Sequence, residues 1–170
     1  NIAVNGAVGA VTFNIVSTKD TTPLTGQTGY TITAAATSVT ITSVVPNTLT
    51  VGATPTSIVY TLVTSTAGAL SQASGHTVII TPTGGAGKIY TASETVACSM
   101  GGSATGTCTP TCATDSDSVL TVTLAGAADD CAVAASTSFT ITTTDNMVAN
   151  AAAGAQAMGI VTSTDTVSAS

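Results

Sequence analysis

Residues 57–64 alternate strictly. Ile58, Tyr60 and Leu62 fall on one side of an extended chain, and Val59, Thr61 and Val63 on the other. β-Branched residues dominate the run, and their restricted χ1 suits a pleated surface. The pattern predicts a central strand, buried on one face and half-buried on the other. Helical spacing of apolar residues is nearly absent from the rest of the chain. The Ala-rich stretch 149–158 carries Gly154 and lacks larger apolar residues at helical spacing, so it reads as loop or irregular strand.

Comparable short runs recur, each bounded by Gly, Pro, Asn or Asp. They cover residues 11–16 (Val11, Phe13, Ile15), 29–34 (Tyr30, Ile32), 39–45, 48–51, 76–81, 88–98, 118–124, 138–143 and 159–162. Short strands this evenly spaced predict an all-β fold, an antiparallel β-sandwich.

The two ends of the chain echo one another. Phe13, Ile15 and Asp20 match Phe139, Ile141 and Asp145 in order and nearly in spacing. Tyr30-Thr31-Ile32-Thr33 resembles Gly159-Ile160-Val161-Thr162, and Thr37-Ser38-Val39 resembles Asp165-Thr166-Val167. The offsets cluster near about 125–130 residues, the size of one sandwich domain. On this reading residues 1–38 are the last strands of a preceding repeat, or a donated strand segment. Residues 39–165 are a complete sandwich, and 166–170 are the start of a next unit or a tail. The apolar face of the first segment, Val11, Phe13, Ile15, Tyr30 and Ile32, then needs a partner, and these residues are the expected assembly contacts.

Composition narrows the function. Charged residues make up 6% of the chain and aromatics 3%, with a net charge of −6. The basic residues are Lys19 and Lys88, too few for the patch that displaces counterions from nucleic acid or holds an anionic membrane. No apolar run approaches the length of a bilayer span. Ser and Thr supply about a third of the chain, so the surface is neutral and hydroxyl-rich, suited to close packing of subunits and to O-linked glycans. No N-x-[ST] sequon occurs. The chain begins at Asn1, which fits a removed signal or an excerpt of a longer polypeptide.

Cys98, Cys108, Cys112 and Cys131 are even in number and poorly spaced for zinc, with the only His, His76, far away in sequence. They predict disulfides and an oxidising, extracellular setting. Four cysteines allow three pairings. The expected one joins sequence neighbours, Cys98 to Cys108 and Cys112 to Cys131.

Candidate chemistry is thin. Asp115-Ser116-Asp117-Ser118 and Asp129-Asp130 place acids in turns, without the spacing of a calcium loop. His76 has no G-x-S-x-G elbow to serve. Glu94 is the only Glu, so a Glu pair for sugar hydrolysis is impossible. Gly84-Gly85-Ala86-Gly87-Lys88 lacks phosphate-loop spacing and reads as a hairpin turn. Lys19 with Asn14 and Lys88 with Glu94 suit solvated lysines better than an isopeptide cross-link. The expectation is a protein without catalysis and without metal or cofactor.

The run T-S-V-T-I-T-S-V-V-P-N-T-L-T-V-G-A-T, then I-V-Y-T-L-V-T-S-T and H-T-V-I-I-T-P, resembles immunoglobulin-like repeats of large extracellular proteins. The likeness covers residues 38–82 and extends beyond them by pattern alone. It implies tandem β-sandwiches at the cell surface, serving as stalks, walls, flagellar hairs or pilus-like fibres. The expected function is a structural subunit of an extracellular filament or surface array. Copies of the chain, or neighbouring repeats, would join head-to-tail by strand pairing into a homopolymer. An adhesive or carbohydrate-binding module on a stalk is the alternative, and it would need exposed aromatics.

Overall fold

The computed structural model describes residues 9–15, 19, 24–32, 37–83, 88–125, 131–150 and 156–170, with β1 and β2 described by their backbone. The chain divides into two compact units, Asn1–Ala35 and Ala36–Ser170. In the first, β1 (Gly9–Ile15) pairs antiparallel with β2 (Leu24–Ile32). Register shifts fall between Val11 and Thr12 and between Phe13 and Ile15.

The second unit is built from antiparallel sheets. Its strands are β3 (Thr40–Pro46), β4 (Ile58–Val63), β5 (Leu70–Ser71), β6 (Thr77–Pro82), β7 (Thr95–Val96), β8 (Cys98–Gly102), β9 (Thr111–Thr114), β10 (Leu120–Thr123), β11 (Ala132–Val133), β12 (Ser138–Thr143) and β13 (Met158–Thr162). One sheet runs β3-β4-β12-β8 and the other β13-β6-β10-β9-β7, with a small β11-β5 pair beside them.

Alternation decides which side chains go inside. Ile58, Tyr60 and Leu62 of β4 are buried, and Val59, Thr61 and Val63 are half-buried, because β4 lies between β3 and β12. Phe139 and Ile141 of β12 sit opposite Leu62 and Tyr60 in the ladder and share their face. From the other sheet come Val78, Ile80, Leu120, Val122 and Ile160, and both sets join one hydrophobic core. Each such side chain contributes about 1.5–3 kcal/mol on leaving water.

Several expected strands are corrected. Residues 48–51 form a turn rather than a strand, because the Asn47 side chain closes a loop over them and Gly52 takes φ 81°. Residues 88–98 do not make one continuous strand. Tyr90 forms a single bridge to Met147, the chain bends through Ser93 at φ 58°, Thr95–Val96 pairs with β9, and Cys98 already belongs to β8 in the other sheet. Strands β8 and β9 were not expected. The first reads Cys-Ser-Met-Gly-Gly, without a β pattern, and is held by its ladder with β12.

The disulfides are present but paired otherwise than expected: Cys98 joins Cys112, and Cys108 joins Cys131. Strand placement is the reason. Cys98 opens β8 in one sheet and Cys112 lies on β9 in the other, which brings their Cα atoms to 6.2 Å. The remaining bridge fastens the loop before β9 to the residue before β11, with Cα atoms 4.7 Å apart. Among the described residues no helix is long and apolar enough to cross a membrane.

Candidate functional site

The two flanks of the main sheets differ. On one, the Cys98–Cys112 bridge ties sheet to sheet. On the other, the outer strands β3 and β13 leave a groove of about 380 Å³ between them. Its walls are Val44 and Pro46 of β3, Ile58 and Tyr60 of β4, Leu49 of the following loop and Met158 of β13. Lys88, Asn150 and Gln156 add polar groups to the lining. Among the described residues β3 pairs with β4 alone, and its other edge presents backbone donors and acceptors without a described strand partner.

Among the described residues, the same hairpin carries three of the four exposed large apolar side chains: Val45 is 56% exposed, Leu49 82% and Val51 52%. The backbone that carries them is fixed by hydrogen bonds. Asn47 Oδ1 accepts the backbone N–H groups of Thr56 at 2.9 Å and Ser57 at 3.2 Å, and the Asn47 amide donates to Thr56 Oγ1 at 2.8 Å. Gly52 N–H donates to the Asn150 carbonyl at 2.8 Å, and Asn150 N–H donates to the Ala53 carbonyl at 2.9 Å. The Asn150 side chain donates to the carbonyl of Thr50 at 3.1 Å. The loop is thus a bonded platform that presents Leu49 and Val51 outward.

Beneath the groove lies a buried hydroxyl chain. The Tyr60 and Tyr90 hydroxyls are 2.7 Å apart, and the Tyr90 hydroxyl is 2.8 Å from Thr143 Oγ1. Burial pushes the Tyr60 phenol well above its ordinary range, with the neighbouring Tyr90 adding to the effect. Burial raises Tyr90 too, partly offset by its bonds to Thr143 and Tyr60. Both stay neutral at ordinary pH and act as packing with satisfied hydroxyls.

A second constellation centres on Asp165, a fully buried carboxylate at the turn after β13. It accepts the backbone N–H of Ser65 at 3.0 Å and the Ser65 hydroxyl. Burial works to raise this carboxyl, but the two bonds from Ser65 and one from Thr37 outweigh it and hold it below the ordinary value. Gly68 packs so closely on the carboxylate that a Cβ there would collide with it. The Asp165 backbone closes the turn, its N–H donating to Thr162 Oγ1 at 2.8 Å and its carbonyl accepting from Thr162 at 2.9 Å. Asp165 stood out in sequence only as part of the Thr37-Ser38-Val39 echo. Its burial has no sequence signature, because the carboxylate's partners lie in a loop distant in the chain.

The residues weighed for chemistry serve local structure. His76 Nδ1 accepts the Ser71 N–H at 3.0 Å, closing the 3-10 turn Gln72–Ser74. Asp115 Oδ1 accepts the N–H groups of Asp117 at 2.8 Å and Val119 at 2.9 Å, a side-chain-closed turn. Lys88 Nζ donates to the Ser116 carbonyl at 3.3 Å. Among the described residues no three His, Cys, Asp or Glu side chains gather as a metal site. Residues 84–87, Asp129 and Asp130 lie outside the described residues. Of the expected assembly residues, Val11 stands opposite Tyr30 in the β1–β2 ladder, while Phe13 opposes Gln27, Ile15 opposes Leu24 and Ile32 opposes Gly9. Compared with known proteins, the chain matches no family model, no curated protein and no solved structure.

Proposed function

We propose that this chain is a structural subunit of an extracellular filament or cell-surface array, an immunoglobulin-like β-sandwich that assembles head-to-tail through strand pairing and does no catalysis. The observation that carries the reading is the open flank. Among the described residues the β3 edge has no strand partner, it runs beside an apolar groove, and Val45 of β3 is exposed next to Leu49 and Val51 of a loop fixed by Asn47 and Asn150. Such a surface accepts an extended strand: main-chain bonds give affinity, and alternate side chains fill the groove.

The chain carries a matching donor. β1 and β2 form a two-stranded unit, and two strands alone are marginal in water. Their sequence alternates Val11, Phe13 and Ile15, with Tyr30 and Ile32 on the second strand. The strand donated to one copy's β3 edge comes from this segment of another copy, or from a neighbouring repeat. A donor and an acceptor on different surfaces make a heterologous contact, which propagates into a fibre. Two disulfides suit an oxidising compartment, and the Ser/Thr-rich surface suits O-linked glycans. Among the described side chains the aromatics Tyr60, Tyr90 and Phe139 are buried, which lends the adhesive alternative no support.

The test is sedimentation of the full chain against Val45→Lys and Leu49→Lys. A charge on an edge strand is a known deterrent to pairing. Concentration-dependent polymers that the lysines disperse support the proposal. Polymers of unchanged size in both variants, or a parent chain that never associates, count against it.

A further inference from the structure

Strand β13 has the sequence Met-Gly-Ile-Val-Thr, without a charge or a proline. Among the described residues it forms the outer edge of its sheet, and edges of this kind invite another strand unless something blunts them. β3 at least ends in Pro46. The protection of β13 comes from the residues that follow it. After the turn at Asp165 the chain folds back along the edge. Ala169 N–H donates to the Ile160 carbonyl at 3.0 Å, and Ile160 N–H donates to the Ala169 carbonyl at 3.0 Å. Val167 N–H donates to the Thr37 carbonyl at 2.9 Å. Ser168 lies directly against Gly159, where a Cβ would come within 2.6 Å of its hydroxyl oxygen.

Residues 166–170 therefore satisfy the edge groups of Ile160 with one short stretch of backbone. Among the described residues, Thr166, Val167, Ser168 and Ser170 of that stretch are exposed, and Ala169 is half-buried against the core. Its anchor is Asp165, bonded to Ser65 and packed on Gly68.

We infer that residues 166–170 act as an autoinhibitory strap, pinned by Asp165, that keeps β13 from pairing with the same strand of a second copy. Released, the edge would present Met-Gly-Ile-Val-Thr to its counterpart. An antiparallel pair of two such strands is self-complementary and closes as a two-fold dimer. The strap thereby leaves β3 as the accessible edge on this flank, which gives association one direction. This inference rests on the reading that copies meet through sheet edges, but it concerns a different edge.

The experiment uses the full chain carrying Ala169→Pro, which deletes the N–H donated to Ile160, and separately Asp165→Asn, which removes the charge that Ser65 binds. Amide hydrogen exchange at Ile160 reads strap release, and sedimentation velocity reads association. Both are run with and without Val45→Lys, which blocks β3. The expected result is faster exchange at Ile160 and at least a tenfold tighter self-association than the strapped parent, retained when β3 carries the lysine. Ala169→Pro leaves the Asp165 anchor in place and meets the core only at the half-buried Ala169, so the test survives if Asp165→Asn fails to fold. Rapid exchange at Ile160 with unchanged association overturns the strap inference and leaves the filament proposal standing. Association gained only on strap release, from a parent that is monomeric at every concentration, upholds the strap and rejects the filament proposal.

Discussion

Removing the disulfides one at a time should destabilise the fold by similar amounts, slightly more for the longer loop. Replacing Cys98 and Cys112 by alanine opens a loop of sequence separation 14, and replacing Cys108 and Cys131 opens one of 23. Restricting the unfolded chain through these closures contributes about 3 kcal/mol for the shorter loop and about 3.5 kcal/mol for the longer. With a urea dependence of about 2 kcal/mol per molar, each loss lowers the midpoint by about 1.5 M or slightly more. The assay is equilibrium urea unfolding of the two double variants and the parent, followed by far-UV circular dichroism. The bridges must first be mapped by digesting unreduced protein and identifying linked peptides by mass. A peptide joining Cys98 to Cys108 would refute the account, because it cannot coexist with Cys98 and Cys112 bridging β8 and β9 across the two sheets. So would a midpoint shift under about 0.3 M in both variants, since loop closure then stabilises far less than argued.

Tyr90→Phe should destabilise by about 1–3 kcal/mol, because the buried Tyr60 hydroxyl loses its partner; thermal unfolding measures it, and a neutral result would mean the hydroxyl chain is not formed. Both tyrosines ionise above their ordinary range in the folded state, so the stability they contribute is full below about pH 10 and declines above it. Asp165 is shifted the other way, so its contribution is present above the ordinary carboxylate range near about pH 4 and is lost as pH falls through its lowered value. Asp165→Asn should therefore flatten the acid limb of a stability–pH profile, and an unchanged limb would remove Asp165 as its source. Leu62→Ala, at a position with no exposed surface, should cost about 2–5 kcal/mol in urea unfolding. On a denaturing, reduced and deglycosylated gel, native material far above 16.3 kDa indicates a covalent array of repeats, and a band near that mass indicates strand exchange between separate chains.

The all-β character and the core strands were legible because alternation at Ile58, Tyr60 and Leu62, at Leu120 and Val122, and at Phe139 and Ile141 fixes which face is buried whatever the partner strand. What the pattern could not carry was anything set by distant partners. β8 contains two glycines and no alternating pattern, and exists because β12 offers it a ladder. Residues 48–51 have strand-like composition, but Asn47 and Asn150 bond their loop from positions far apart in the chain. The disulfide pairing failed for the same reason: sequence proximity favoured Cys98 with Cys108, while the sheets brought Cys98 to Cys112. The sequence suggested partners for Val11, Phe13, Ile15, Tyr30 and Ile32 but carried no sign of the groove beside β3. That groove, lined by Val44 and Pro46 of β3, Leu49 and Met158, emerged from how the two sheets end.

Electron microscopy of the native material, with antibody against this chain to identify it, addresses the central claim. The account predicts long filaments with a regular axial repeat, labelled along their length. Labelled particles that are uniformly monomeric, with no filament carrying the label, would contradict it.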